Sequence, residues 1–196
     1  MRFYIPILLM IIVLACQKDD NAPDPVSGDN ALHYDGSNQS APVVARGISY
    51  AAARFPENEL SSRAQQGKNI TAIDYYIAQE PDAIRLLVLA WNEQDATQPG
   101  PLMYEASLPG TDFSGNQWNR HTLTGAVPIP EAGIWIAFEV QAGDRDLSVI
   151  GCDLGPHHPH GDVYGIFGDS LPGWTSLSSF TNNQIDINWN IRAVTE

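Results

Sequence analysis

Alternation of apolar and polar positions recurs along the chain and predicts β-strands, most clearly near the C-terminal end, over residues 185–194. Its apolar positions are Ile185, Ile187, Trp189, Ile191 and Ala193, and its polar positions are Asp186, Asn188, Asn190 and Arg192. A period of two is typical of a strand with one face on the core and the other in water. We therefore predict a central strand here, with Trp189 in the core and the polar side chains in solvent.

Other segments show the same period or carry apolar residues on both faces. Asn69–Ala78 alternates less cleanly, whereas Ile84–Trp91 and Ile134–Val140 are nearly continuous apolar runs, as expected of strands covered on both sides or central in a sheet. Trp135 falls within the second run and is expected in the core. Shorter candidate strands are Gly47–Phe55, Leu102–Ser107, Trp118–Leu123, Leu147–Cys152 and Asp162–Phe167.

One segment has helical character. Glu57–Gln66 carries Leu60 and Ala64 at helical spacing, with Pro56 in front and Gly67 where a helix-ending glycine belongs. One short helix among about ten strands predicts an all-β domain, and strands of this length and number favour a two-sheet jelly-roll β-sandwich. We place that domain at residues 31–196.

The N-terminal residues predict a secretory signal. Arg2 precedes an apolar run of about eleven residues, which is shorter than the roughly 20 that a helix needs to span a bilayer. Val13-Leu14-Ala15-Cys16 resembles the lipobox of bacterial lipoproteins, in which the cysteine becomes the lipidated N-terminus. Residues 1–15 are accordingly predicted to be removed, leaving a membrane anchor on Cys16 that needs more than one acyl chain for stable attachment.

The residues after Cys16 predict a cellular localisation and a flexible linker. Lys18, Asp19 and Asp20 resemble the surface-export signal of Bacteroidetes lipoproteins, which implies an outer-membrane protein facing the cell exterior. The rest of 16–30 is rich in Pro, Gly and Asp and poor in apolar residues, so we predict a flexible tether.

Charge and cysteine content narrow the function classes. The chain carries a formal charge of −13, and such an acidic surface argues against nucleic acid and anionic lipid as partners. With Cys16 lipidated, Cys152 has no intramolecular partner, and we expect it to be a buried, small apolar side chain.

Several short sequence segments, taken together, resemble a jelly-roll module of secreted and adhesin-type surface proteins of Bacteroidetes, from about residue 31 to the C-terminus. They are Ala53-Arg54-Phe55, Gly67-Lys68-Asn69-Ile70-Thr71, Pro101-Leu102-Met103-Tyr104-Glu105, Trp118-Asn119, Ile134-Trp135-Ile136-Ala137-Phe138-Glu139-Val140, Gly151-Cys152-Asp153-Leu154-Gly155-Pro156 and Asn188-Trp189-Asn190-Ile191-Arg192-Ala193. The resemblance implies a β-sandwich with a binding or adhesive role. In that family the module is often appended to peptidases or to C-terminal sorting signals, whereas here it follows a predicted lipid anchor.

Two clusters have the residue types of metal sites. His157, His158, His160 and Asp162 lie within six residues and could bind a transition metal such as zinc, or form a polar surface loop. Asp35-Gly36-Ser37-Asn38 and Asp153 supply oxygen ligands suited to a structural calcium ion, although short Asx turns explain the first group equally well.

The function that these patterns favour is binding. No nucleophile elbow, zinc-protease helix or phosphate-binding glycine loop occurs in the sequence. Loop or strand-end aromatics can contact sugars or proteins, and we select Trp174, Tyr164 and Trp91. We expect a surface binding or adhesion lipoprotein whose ligand is a glycan or a protein. The alternative is a metal-dependent hydrolase using the histidine loop.

Overall fold

The chain folds as an all-β sandwich of two antiparallel sheets. The computed structural model describes residue 25 and residues 27–44, 46–168 and 173–196. Its strands are β1 Ala31–Leu32, β2 Val43–Val44, β3 Gly47–Pro56, β4 Asn69–Ile77, β5 Ala83–Trp91, β6 Pro99–Leu108, β7 Gln117–Pro128, β8 Gly133–Gly143, β9 Leu147–Ser148, β10 Val163–Ile166, β11 Gly173–Ser176 and β12 Ile191–Thr195. Its helices are α1 Glu57–Ser62 and the single turn α2 Leu177–Phe180.

From β3 to β8 the chain passes from one sheet to the other at each connection except that from β5 to β6, as in a jelly-roll-like sandwich. The four-stranded sheet has the order β1-β12-β4-β7, and the six-stranded sheet has the order β11-β10-β3-β8-β5-β6. Strand β8, which contains the nearly continuous apolar run Ile134–Val140, lies between β3 and β5 and is central as predicted. Strands β2 and β9 form a separate short pair. None of the described helices is long and apolar enough to cross a membrane.

The inner faces of the two sheets form the main core. Ring packing crosses the sandwich where Tyr75 of β4 meets Phe138 of β8, with centroids 4.7 Å apart. Trp189 is 1% exposed, as predicted, and its indole N–H donates to the carbonyl of Val163 at 2.9 Å. The two sheets therefore share one interior that extends beneath the C-terminal residues.

The predicted C-terminal strand is wrong in length and in the environment of its polar face. Only Ile191–Thr195 is strand, although Ile187, Trp189, Ile191 and Ala193 are buried as the alternation required. Asn188, Asn190 and Arg192 are also buried, because the segment after β1 and the loop after Cys152 cover them. Asp35 accepts from Arg192 Nη2 at 2.8 Å and from Asn190 Nδ2 at 2.7 Å, while Asp153 accepts from the Asn188 backbone N–H at 2.7 Å.

The helix is shorter than predicted because Gln65 turns inward. Its side chain is 1% exposed, donates to the carbonyl of Asp29 at 2.7 Å and accepts from the Thr195 hydroxyl at 2.7 Å. Gly67 does not end the helix as predicted: the C-cap is Arg63, and Ala64 after it takes the left-handed backbone with a φ of +52°, whereas Gly67, at +77°, lies in the following turn. The contact to Asp29 also holds a 3-10 turn at Gly28–Asn30, within the segment predicted to be tether.

Candidate functional site

The outer face of the six-stranded sheet carries a second hydrophobic cluster, separate from the main core. Alternate residues of the strands point away from the sandwich and place Trp135 at the centre of this face. Trp135 is fully buried, as predicted, but it lies outside the inter-sheet core. The rings around it are Tyr50, Trp91, Phe167 and Trp174, and we call these five rings the aromatic face.

The rings of the aromatic face form one connected set. Trp135 meets Trp174 edge-on at 5.6 Å between centroids and meets Trp91 at 6.2 Å. Tyr50 lies 5.2 Å from Trp174, and Phe167, which is 52% exposed, lies 5.4 Å from Tyr50. Edge-to-face and tilted pairs at such distances are favourable for aromatic quadrupoles. The buried indole therefore fixes two half-buried indoles, Trp91 and Trp174, on one surface.

Small residues in the strands make room for these rings. Ala52 and Ala137 pair across β3 and β8 beside Trp135 and are fully buried. Gly165 pairs with Trp174, and a Cβ at this glycine would lie 3.0 Å from the Trp174 ring and 3.0 Å from the Cβ of Tyr50. A side chain at this glycine would displace the indole of Trp174.

Arg54 joins the aromatic face to the histidine loop. Its guanidinium lies 5.3 Å from the ring of Trp135, donates from Nε to His160 Nδ1 at 2.9 Å and donates to the carbonyl of Ala96 at 2.8 Å. Because an arginine only donates, Nδ1 of His160 must carry a lone pair in this contact. Burial, together with the neighbouring Arg54 and His158, lowers the pKa of His160 to about 4, so this imidazole is neutral at pH 7.

A cleft opens between Arg54 and Trp174. Its volume is about 210 Å³, and its lining residues are Arg54, Thr97, Val163, Trp174, Thr175 and Ser176. The Ser176 hydroxyl donates to Asp162, a fully buried carboxylate, at 2.6 Å. The cleft thus combines an indole with a guanidinium and hydroxyl groups, a mixture suited to a polar ligand that has an apolar side.

A polar network continues the same face away from the cleft. The Tyr50 hydroxyl donates to Glu139 at 2.8 Å, and Arg85 donates to the same carboxylate. Burial favours a higher pKa for Glu139, but the hydrogen bonds from Arg85, Tyr50 and Gln141 outweigh it and hold the pKa below its ordinary value. Glu139 is therefore an ionised group with its charge balanced locally.

The histidine loop does not assemble the predicted metal ligands. Within the described ranges, no group of three or more His, Cys, Asp or Glu side chains could hold a metal ion. His157 contacts Asp186 at 2.8 Å, whereas His158 stacks on Tyr34 at 4.0 Å between centroids. His160 serves Arg54, and Asp162 accepts from Ser176 and from the Ser178 backbone N–H. His158 and His160 are neighbours, with ring centroids 5.4 Å apart, but the side chains of the four residues contact different protein partners.

Two of the predicted calcium ligands, the carboxylates of Asp35 and Asp153, are likewise occupied by protein donors. Asp35 is bound by Arg192 and Asn190, and Asp153 accepts from the backbone N–H groups of Gly36 at 3.0 Å and Gly155 at 2.9 Å. N–H donors and a guanidinium supply the positive charge and hydrogen bonds that a hard cation would otherwise supply. These carboxylates connect the N-terminal segment to the C-terminal one.

The structure separates the three aromatics predicted to contact ligand. Trp174 and Trp91 share the aromatic face, as described above. Tyr164 does not: it is 3% exposed and packs in the main core against Phe180 at 5.6 Å. Tyr164 was selected because it follows a loop, but it pairs with Ala51 on the inward side of β10, so that selection was wrong.

Sequence reasoning missed Arg54, Tyr50 and Phe167 as members of the site. The available signal was the apolar character of both faces of β8, which required a cover on the outer side as well as the inner one.

Cys152 is buried, as expected, and burial raises the pKa of its thiol to about 12, with Asp153 adding to the effect. At neutral pH it is an unreactive thiol. The export residues Lys18, Asp19 and Asp20, like Cys16, lie outside the described residues.

Comparison with known proteins yields a likeness of fold. No family model matches this chain, and no curated protein matches it. A structure of the clostridial cysteine protease Cwp84 after propeptide cleavage has a TM-score of 0.54 and 8% identity, covering 87% of this chain and 41% of that chain. A structure of the cysteine protease and lectin-like domains of Cwp84, a surface layer associated protein of Clostridium difficile, has a TM-score of 0.49 and 8% identity, covering 76% of this chain and 32% of that one. This chain thus spans 41% of the first Cwp84 chain, and it is similar to it in fold, as a two-sheet β-sandwich.

Proposed function

We propose that this protein is a lipid-anchored surface lipoprotein whose sandwich binds a neutral glycan on the aromatic face. The observation that carries the proposal is the pair of half-buried indoles, Trp91 and Trp174, fixed on one surface by the buried Trp135. Indoles held in place lose little conformational entropy when a ligand arrives, so they are effective contact groups.

The chemistry beside the indoles fits a sugar. A pyranose presents C–H faces that pack on aromatic rings, and hydroxyl groups at its edge that both donate and accept. The cleft beside Trp174 supplies Arg54 as a donor, the Thr175 hydroxyl as a group of either kind, and the hydroxyls of Thr97 and Ser176 as acceptors, because these two donate to Asp95 and Asp162. Ligand sites typically combine a mainly apolar lining with a few placed polar groups in this way.

Charge favours a neutral ligand over an anionic one. The chain has a formal charge of −13, which repels sulfated and uronic polymers. Arg54 contributes one positive charge beside Trp135, and farther along the same sheet the positive charge of Arg85 is opposed by Glu139 and Glu105.

The cellular address in this proposal rests on the sequence alone. Cys16 in its lipobox context would carry the lipid, and Lys18, Asp19 and Asp20 would direct the protein to the outer face of the outer membrane. The likeness to surface modules of Bacteroidetes supports the same address. In that position the aromatic face would meet glycans outside the cell.

Binding is tested by removing one indole at a time. We expect the full chain, purified in detergent, to bind members of a neutral glycan array, and Trp174→Ala to weaken that binding about 30-fold, the effect of losing about 2 kcal/mol at a central aromatic contact. Trp118→Ala is the matched control, because Trp118 is a half-buried indole on the other sheet, where Arg192 stacks over it at 4.7 Å. Equal losses in both variants, or no binding to any glycan, would contradict the proposal, and the second result would favour a protein ligand.

A further inference from the structure

One row of residues crosses the outer face of the six-stranded sheet from edge to edge. The register pairs each member with the next, in the order Trp174, Gly165, Tyr50, Glu139, Arg85 and Ser107. These residues belong to six different strands, so the row runs perpendicular to the strand direction. With strands about 4.8 Å apart, five spacings make the row roughly 24 Å long.

A second cleft lies at the end of this row opposite Trp174. It has a volume of about 570 Å³, and Arg85, Ser107, Glu139 and Gln141 are among its lining residues. Three of these four are members of the row itself. The two clefts are therefore the two ends of one surface feature.

Tyr50 connects the two clefts. Its ring packs on Trp174 at 5.2 Å, which belongs to the first cleft, and its hydroxyl donates to Glu139 at 2.8 Å, which belongs to the second. Aromatic contacts dominate at one end, and a guanidinium, a carboxylate and an amide dominate at the other. A ligand that uses both ends must be long and must carry hydrogen-bonding groups along its length.

We infer that the ligand is a linear neutral oligosaccharide that lies across the strands, from the Trp174 cleft to the Arg85 cleft. The inference rests on the proposed glycan-binding function and specifies its ligand as an extended chain. A single sugar or a disaccharide would fill one cleft only. An extended chain would stack on Trp174, pass Tyr50 and place hydroxyl groups against Arg85, Glu139 and Gln141.

A chain-length series tests the inference with defined probes. Isothermal titration of the full chain in detergent would use cello-oligosaccharides and manno-oligosaccharides of two to six units. We expect the affinity to rise by at least tenfold between the dimer and the hexamer of the series that binds, because the hexamer reaches the second cleft.

Two variants identify the second cleft as the source of that gain. Ser107→Trp places a bulky side chain at the exposed end of the row without removing any ion pair, and we expect it to lower hexamer affinity about tenfold while leaving dimer affinity unchanged. Thr124→Trp, on the exposed part of edge strand β7 in the other sheet, is the matched control and should change neither. Arg85→Ala should reproduce the selective loss, which separates lost contacts from steric blockage.

The outcomes distinguish this inference from the function on which it rests. Equal affinity for dimer and hexamer, with Trp174→Ala still weakening binding, would overturn the extended-chain inference and leave glycan binding intact. A hexamer affinity insensitive to both Ser107→Trp and Arg85→Ala would overturn it as well. If no oligosaccharide of either series binds and the glycan array also shows no binding, the proposed function fails together with the inference.

Discussion

At the scale of single residues, Gly165 determines where Trp174 can lie. We predict that Gly165→Ala lowers the free energy of unfolding by about 1–3 kcal/mol, the usual cost of overpacking, because its Cβ would meet Trp174 and Tyr50 at 3.0 Å. The same change should weaken glycan binding by moving the indole. Denaturant unfolding and titration measure the two effects. Gly125→Ala, where an added Cβ meets nothing within 4 Å, is the control, and equal behaviour of the two variants would contradict the prediction.

The burial of His160 should make the stability of the protein depend on pH. Its pKa falls from the ordinary 6.5 to about 4 in the folded protein, mainly through burial. Between these values the unfolded chain binds a proton that the folded chain does not, so stability falls as the pH is lowered from about 6.5 to about 4. We predict that His160→Gln, which keeps an acceptor for Arg54, flattens the stability curve over this window. Parallel curves for the two proteins in denaturant titrations would contradict this role.

At the scale of elements, the sequence predicted the strands better than it predicted what covers them. Runs such as Ile134–Val140 identify β8 because burial on two faces leaves a continuous apolar pattern. The burial of Asn188, Asn190 and Arg192 could not be predicted from the sequence. Their partners, Asp35 and Asp153, are distant in sequence, and a polar side chain with no known partner is expected to face solvent. Tyr164 failed for a related reason, since loop proximity says nothing about which side of a strand faces inward.

The buried pair between the N-terminal segment and β12 is testable by mutation. Arg192 is 7% exposed, and Asp35→Ala would break its buried ion pair by removing the carboxylate, a change that typically costs 3–5 kcal/mol. We predict a loss of that order in denaturant unfolding. Asp146→Ala is the control, because its pair with Arg46 lies in solvent and such pairs contribute about 0–1 kcal/mol. Similar losses in both variants would mean that the buried pair contributes no more than a surface one.

At the scale of the whole molecule, the pattern of apolar and polar residues predicted the all-β fold class, but it predicted only some of the residues of the candidate site. Two of three selected aromatics, Trp91 and Trp174, share a face, but only the register of six strands shows that Trp135 joins them and that Arg54 lies beside them. Side chains contributed by different strands are neighbours through pairing, and pairing is a property of the complete sheet.

The predicted attachment of the whole protein to a membrane depends on one atom, the sulfur of Cys16. Thioether formation at the Cys16 sulfur would hold the protein at a membrane, so we predict that Cys16→Ala releases it from the membrane fraction. Cell fractionation with a carbonate wash measures this, and Cys152→Ala is the control that retains lipidation. Continued pelleting of the Cys16 variant with membranes would contradict the lipoprotein assignment.

The pairing of β1 with β12 has a mechanical consequence. Ala31 lies opposite Val194 in the four-stranded sheet, whereas the aromatic face belongs to the outer side of the other sheet. Tension between a lipid anchor and a bound glycan would therefore pass through the whole thickness of the sandwich, entering at the two residue pairs of β1. Just beyond them, the contacts of Asp35 with Arg192 and of Gly36 with Asp153 act as a clamp against peeling. In single-molecule pulling from residue 27, the force of the first rupture should thus report on this clamp, and Asp35→Ala should lower it.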